Sequence, residues 1–143
     1  MRKFLLIVLI MALLCCVFSS CAANKAEIED HEWSMSYIVH VENDQVIYDA
    51  VSEENDKASE SKVIDMTLVA SNGKIKITDK TNGKIYEGTY IIDSKTPDGI
   101  NYQITIGEKS GLASVAMTTY ADGTKVPTLP INLDGYTICF YAK

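Results

Sequence analysis

From Trp33 onward the apolar residues of this chain alternate with polar ones. Trp33, Met35, Tyr37, Val39 and Val41 interleave with Ser34, Ser36, Ile38 and His40, and this period of two predicts a strand over 33–41 with one apolar face. Ile64, Met66 and Leu68 share a face of the run 63–70. Ile100, Tyr102, Ile104 and Ile106 alternate with Asn101, Gln103 and Thr105, and Ala113, Val115 and Met117 form the expected inner face of 112–120. Further strands are expected over 74–78, 85–92 and 136–142, while 46–51 fits a strand or a short helix. The breaks carry turn chemistry: Asn43-Asp44, Asn72-Gly73, Asn82-Gly83, Pro97-Asp98-Gly99, Asp122-Gly123 and Asp134-Gly135. Asn-Gly between alternating runs is a strong hairpin signal because both central residues of a type I′ turn need positive φ. Pro127 and Pro130 remove ladder donors, so the segment around Ile131, Asn132 and Leu133 is expected to be short, an edge, or a barrel corner.

Eight or nine short strands joined by tight turns describe an antiparallel meander, and a meander of that length protects its edges best by closing on itself. The expected fold class is all-β: an antiparallel up-and-down β-barrel of about eight strands, with an open sandwich as the alternative.

The first twenty-one residues differ in kind. Arg2 and Lys3 precede an almost unbroken apolar run over 4–18, followed by Ser19, Ser20 and Cys21. This is the layout of a secretory signal peptide. The run is about fifteen residues, short of the roughly 20 that span a bilayer core. Cleavage without lipid, near Ala22-Ala23, is the other reading. The small-small-Cys ending resembles the lipobox of bacterial lipoproteins. That resemblance implies a diacylglycerol thioether on Cys21, a membrane partner through that lipid, and a place on the extracytoplasmic face of the cell membrane. The organisation expected is a signal over 1–20, a lipidated tether over 21–32 and a barrel domain over 33–143.

Charge and cysteines narrow the functions. Without Arg2 and Lys3 the chain keeps 11 basic residues against 19 acidic, net −8, which repels nucleic acid and suits a solvated surface or a cationic partner. Of four cysteines, Cys15 and Cys16 fall in the signal and Cys21 in the lipobox. Only Cys139 is left to the domain, so the fold stands on its core and not on an internal disulfide. Glu29, Asp30, His31 and Glu32 form a run of metal-ligand types, but adjacent residues do not all face one ion, so no metal site is expected.

The run Gly83-Lys84-Ile85-Tyr86-Glu87-Gly88-Thr89-Tyr90 resembles the GxxYxGTY hairpin of small bacterial lipocalin-like lipoproteins, and the ending from Pro127 to Phe140 is similar to that group's final hairpin. An early tryptophan, Trp33, fits as well. The resemblance implies a lipocalin-like barrel, no catalytic residue and no cofactor.

Three functions compete. The first is a non-catalytic binding module for a small apolar ligand or peptide, with Trp33, Tyr86, Tyr90 and Tyr102 as candidate ligand-binding residues. Strands of five to nine residues leave little lumen, and Tyr86, Tyr90, Ile92, Tyr102, Ile104, Met117 and Phe140 would crowd it, so a filled core is favoured over a cavity. The second is an immunity or inhibitor-type lipoprotein that captures a cationic peptide or enzyme through Glu53, Glu54 and Asp56 in the acidic stretch 52–62, which is expected to be an exposed loop. The third, an enzyme, lacks G-x-S-x-G, H-E-x-x-H or a P-loop, and carboxylate pairs such as Asp65 and Glu87 are what polar strand faces supply in any case. The chain is expected to act as a monomer.

Overall fold

A computed structural model describes residues 26–49 and 64–143. Among these residues the secondary structure is all strand: β1 (Trp33–His40), β2 (Gln45–Asp49), β3 (Met66–Ser71), β4 (Lys74–Asp79), β5 (Lys84–Lys95), β6 (Gly99–Ile106), β7 (Lys109–Thr119), β8 (Lys125–Leu133) and β9 (Tyr136–Ala142). Every pairing is antiparallel. From β3 to β9 each strand pairs with the next, and β9 returns to β1. The result is a closed eight-stranded barrel of lipocalin-like architecture with one extra strand. The segment 46–51, open between strand and helix, is strand β2 over Gln45–Asp49.

β2 and β3 occupy successive stretches of one edge of β1. β2 pairs with Tyr37 to His40, and β3 pairs with Trp33 and Ser34. The acidic stretch 52–62 connects these two strands and lies outside the described residues, as do Cys21 and the signal.

The turns follow their residues. Asn72-Gly73 (φ 51° and 75°) and Asp134-Gly135 (φ 53° and 80°) both place two left-handed residues in a two-residue loop, the type I′ pattern. Asn82-Gly83 departs from expectation. Only Gly83 has positive φ, and four residues, 80–83, join Asp79 to Lys84. Asp79 explains the longer loop: its carboxylate accepts the backbone N–H groups of Thr81 (3.0 Å) and Asn82 (3.1 Å) and the Asn82 amide (2.8 Å). It is 2 % exposed, on the same inward face of β4 as Ile75 and Ile77 and opposite Met66 of β3. The Asn82 side chain first, then the two backbone donors, hold its carboxyl below the ordinary 3.8.

Two further expectations are corrected. In β1 the pairing with β9 shifts between Met35 and Tyr37, a bulge at Ser36. Tyr37 therefore turns outward and Ile38 inward, reversing the expected phase of the second half of the strand. In β8 the two prolines do not shorten the strand, which runs nine residues within the closed ring. The cost is local: the β7–β8 register continues on both sides of Ser114 and Val115, but those two do not pair opposite Leu129 and Pro130.

The core is one cluster inside the ring. Trp33, Leu68, Ile75, Ile100, Tyr102, Ile104, Val115, Leu129, Ile131 and Phe140 are all essentially inaccessible. The filled interior expected from the sequence is present at this level, but with a different cast. Met117, at 47 %, and Ile92 are exposed: Met117 sits near the end of β7, and Ile92 sits where the β5–β6 register shifts.

Candidate functional site

The barrel has two unlike ends. At the first, residues 26–32 fold across the opening. A turn closed by Asp30, whose carboxylate accepts the Glu27 N–H (2.6 Å) and whose N–H donates to the Glu27 carbonyl (3.1 Å), drives Ile28 into the interior, where it is 1 % exposed. The Trp33 indole N–H donates to the Ile28 carbonyl (2.8 Å), and the Ile28 N–H donates to the Tyr102 hydroxyl (3.2 Å). Both polar atoms of this buried backbone unit are thus satisfied by core aromatics. Acidic side chains clip the rim: Glu27 to Lys95 (3.3 Å), Glu29 to the Tyr90 hydroxyl, and Glu32 to Lys143 (2.7 Å). The Tyr90 hydroxyl, then the Gly73 and Asn72 N–H groups, lower the Glu29 carboxyl; burial, then Glu29, pushes Tyr90 up to about 12. Exposed ion pairs contribute little, so the buried isoleucine and its two hydrogen bonds carry the closure. The stretch 21–32, expected as a tether, thus supplies a core residue, Ile28, with Ala26 packed against the same core.

Three of the four candidate ligand residues lie at this closed end. Trp33 and Tyr102 are buried, and Tyr90 packs edge-on against Tyr102 (centroids 5.6 Å). Their polar atoms are engaged with residues 26–32. Tyr86 stands apart, 39 % exposed at the opposite end. Glu53, Glu54, Asp56 and Cys21 lie outside the described residues.

At that opposite end the lumen opens. Met66, Ile77, Tyr86, Ile106, Leu133 and Ile138 line a pocket of about 690 Å³, with Ile85 at the lip and Gly107, Glu108 and Lys109 at the rim. The register places them there: Ile77 pairs with Tyr86, Ile131 with Ile138, and Leu133 flanks the Asp134-Gly135 turn. Met66, Ile106, Leu133 and Ile138 are half-buried against the core, so the pocket floor is the top of the packed layer. Glu87 completes the lining from the face of β5 opposite Tyr86, and Lys109 is paired with Asp134, so the inward walls are apolar and the charged side chains sit at the rim. His40 lies nearby on β1, its ring edge-on to Tyr136; among the described residues its Nδ1 is the one buried side-chain polar atom without a partner.

A larger depression of about 770 Å³ runs along the outside of β3–β5, among Val69, Lys74, Lys76, Glu87 and Thr89. Charged side chains facing solvent line it, so it lacks the enclosed apolar wall of a ligand site. On another outer face the Tyr37 hydroxyl donates to the half-buried Cys139 thiol, which, with the charge near that sulfur, raises Tyr37 to about 12, while burial raises Cys139. Such a thiol is a poor nucleophile. Among the described residues no three His, Cys, Asp or Glu side chains converge.

The sequence pattern marked Met66, Tyr86 and Ile106 as inward-facing, assigned no face to Ile77, Leu133 or Ile138, and gave no signal of height in the barrel. Ile28 carries no signal in the sequence, being one apolar residue in a charged stretch. Comparison of the chain with protein-family models, with curated proteins and with solved structures gives no match.

Proposed function

We propose that this chain is a lipid-anchored, extracytoplasmic, non-catalytic binding module that holds a small apolar ligand in the open end of its barrel. The observation that carries the binding reading is the apolar pocket of about 690 Å³ above a fully packed layer. That volume lies within the range of small-molecule sites, roughly 300–1,000 Å³. Burial of apolar ligand surface against Met66, Ile77, Ile106, Leu133 and Ile138 supplies affinity. Tyr86 adds a ring face at the entrance. The anchor reading rests on the basic start, the apolar run and Ser19-Ser20-Cys21.

Titration with the dye N-phenylnaphthylamine tests the pocket. Its fluorescence should rise on binding, and Tyr86→Glu should weaken binding about tenfold by placing a carboxylate in an apolar wall. Ile91→Glu, on an exposed outer position, should leave binding unchanged. Absence of dye binding to the wild-type protein, or equal losses in both variants, would overturn the reading.

A further inference from the structure

We infer that the closed end of the barrel is its membrane-proximal end and that the apolar mouth opens away from the bilayer. The inference rests on the proposed lipid at Cys21 and adds a direction to it. Ala26 is already packed against the core at the closed end. Residues 22–25 alone separate it from Cys21. Five Cα-to-Cα steps reach at most about 18 Å, however the chain is arranged.

The opposite orientation needs more than that. β1 runs Trp33–His40 from the closed end to the mouth. Its rise is about 23 Å, or about 18 Å along the axis at the tilt of an eight-stranded barrel. The turns beyond the strand ends bring the height to about 25 Å. A barrel with its mouth on the bilayer would require the chain to leave the closed end and descend that whole height. The covalent reach falls short. The ties of residues 26–32 keep the chain from peeling away to lengthen it: Ile28 is buried, and Glu27, Glu29 and Glu32 are bound to Lys95, Tyr90 and Lys143. The mouth therefore exchanges ligand with the aqueous side, and a donor or acceptor of the ligand meets this protein from above the membrane.

The test uses the full chain, produced in a bacterium that lipidates exported proteins and reconstituted into phosphatidylcholine vesicles with an acceptor dye on the headgroups. In a Cys139→Ser background, a donor dye is placed at Asp98→Cys, in the turn at the closed end, or at Glu108→Cys, in the turn at the mouth; both positions are exposed. Energy transfer from position 98 should exceed that from position 108 at least about threefold, given the height of the barrel. Equal transfer, or stronger transfer from 108, overturns the orientation. Mass spectrometry of the same preparation separates the two readings: a mature chain without lipid mass on Cys21 overturns the anchor itself, whereas a lipidated chain with the reversed order overturns the orientation alone.

Discussion

The two ends of the barrel use the same inward alternation and reach opposite states. At the closed end the inward aromatics, Trp33 and Tyr102, meet a strap of chain that satisfies their polar atoms and brings its own isoleucine. At the open end the inward residues are mostly aliphatic, and no described segment crosses above them. The difference teaches that an inward face is only half of an address. Whether an inward side chain is core or ligand wall depends on its height and on what covers it. The aromatic residues that look most like a binding site are here the lid's fasteners, while ordinary isoleucine, leucine and methionine make the pocket.

The contrast can be broken most decisively through Trp33. Trp33→Ala should cost about 3–5 kcal/mol, as for a fully buried large aromatic, whereas Tyr86→Ala should cost under about 1 kcal/mol. Guanidinium unfolding followed by circular dichroism measures both; comparable losses would erase the distinction between the ends. A smaller effect belongs to the mouth side. Asp79→Ala should cost about 1–2 kcal/mol, because three donors lose an ionised acceptor. The Asp79 carboxyl is depressed in the fold, so its contribution is complete above the ordinary 3.8 and is lost as pH falls below it. Acid unfolding of the variant should therefore be less steep below pH 4 than that of the wild type. The smallest effect should come from Tyr90→Phe at the closed end. Tyr90 is raised from 10.0 to about 12, so its contribution is intact below pH 10 and is lost as pH rises toward 12. The variant should be slightly less stable than the wild type near neutrality and lose less stability over that alkaline interval. Trp33, the single tryptophan, reports locally on the closed end.

Much of the architecture was legible in the residues. The alternation through Ile100, Tyr102, Ile104 and Ile106 and the left-handed pairs Asn72-Gly73 and Asp134-Gly135 foretold strands, hairpins and closure. What escaped was set by tertiary contacts. The bulge at Ser36 has no signature of its own, and it alone decides that Tyr37 faces out and Ile38 in. The capping reach of Asp79 turned an apparent two-residue turn into a four-residue one. Residue type alone points to the candidate ligand residues. Type could not separate Tyr86 from Tyr102, which share an inward face at opposite heights.

The pairing of β1 with β9 also constrains how the molecule forms. Hairpins from β3 to β9 join residues close in sequence and can assemble early, whereas Trp33 must find Ala142 across nearly the whole described chain. On its other side β1 meets β3 at only two residues, Trp33 with Leu68 and Ser34 with Thr67, too short a seam to hold the first strand by itself. The first strand to emerge during synthesis therefore waits for the last. Until residues 136–142 exist the sheet is an open curl, and ring closure is the late, slow event that commits the whole chain at once.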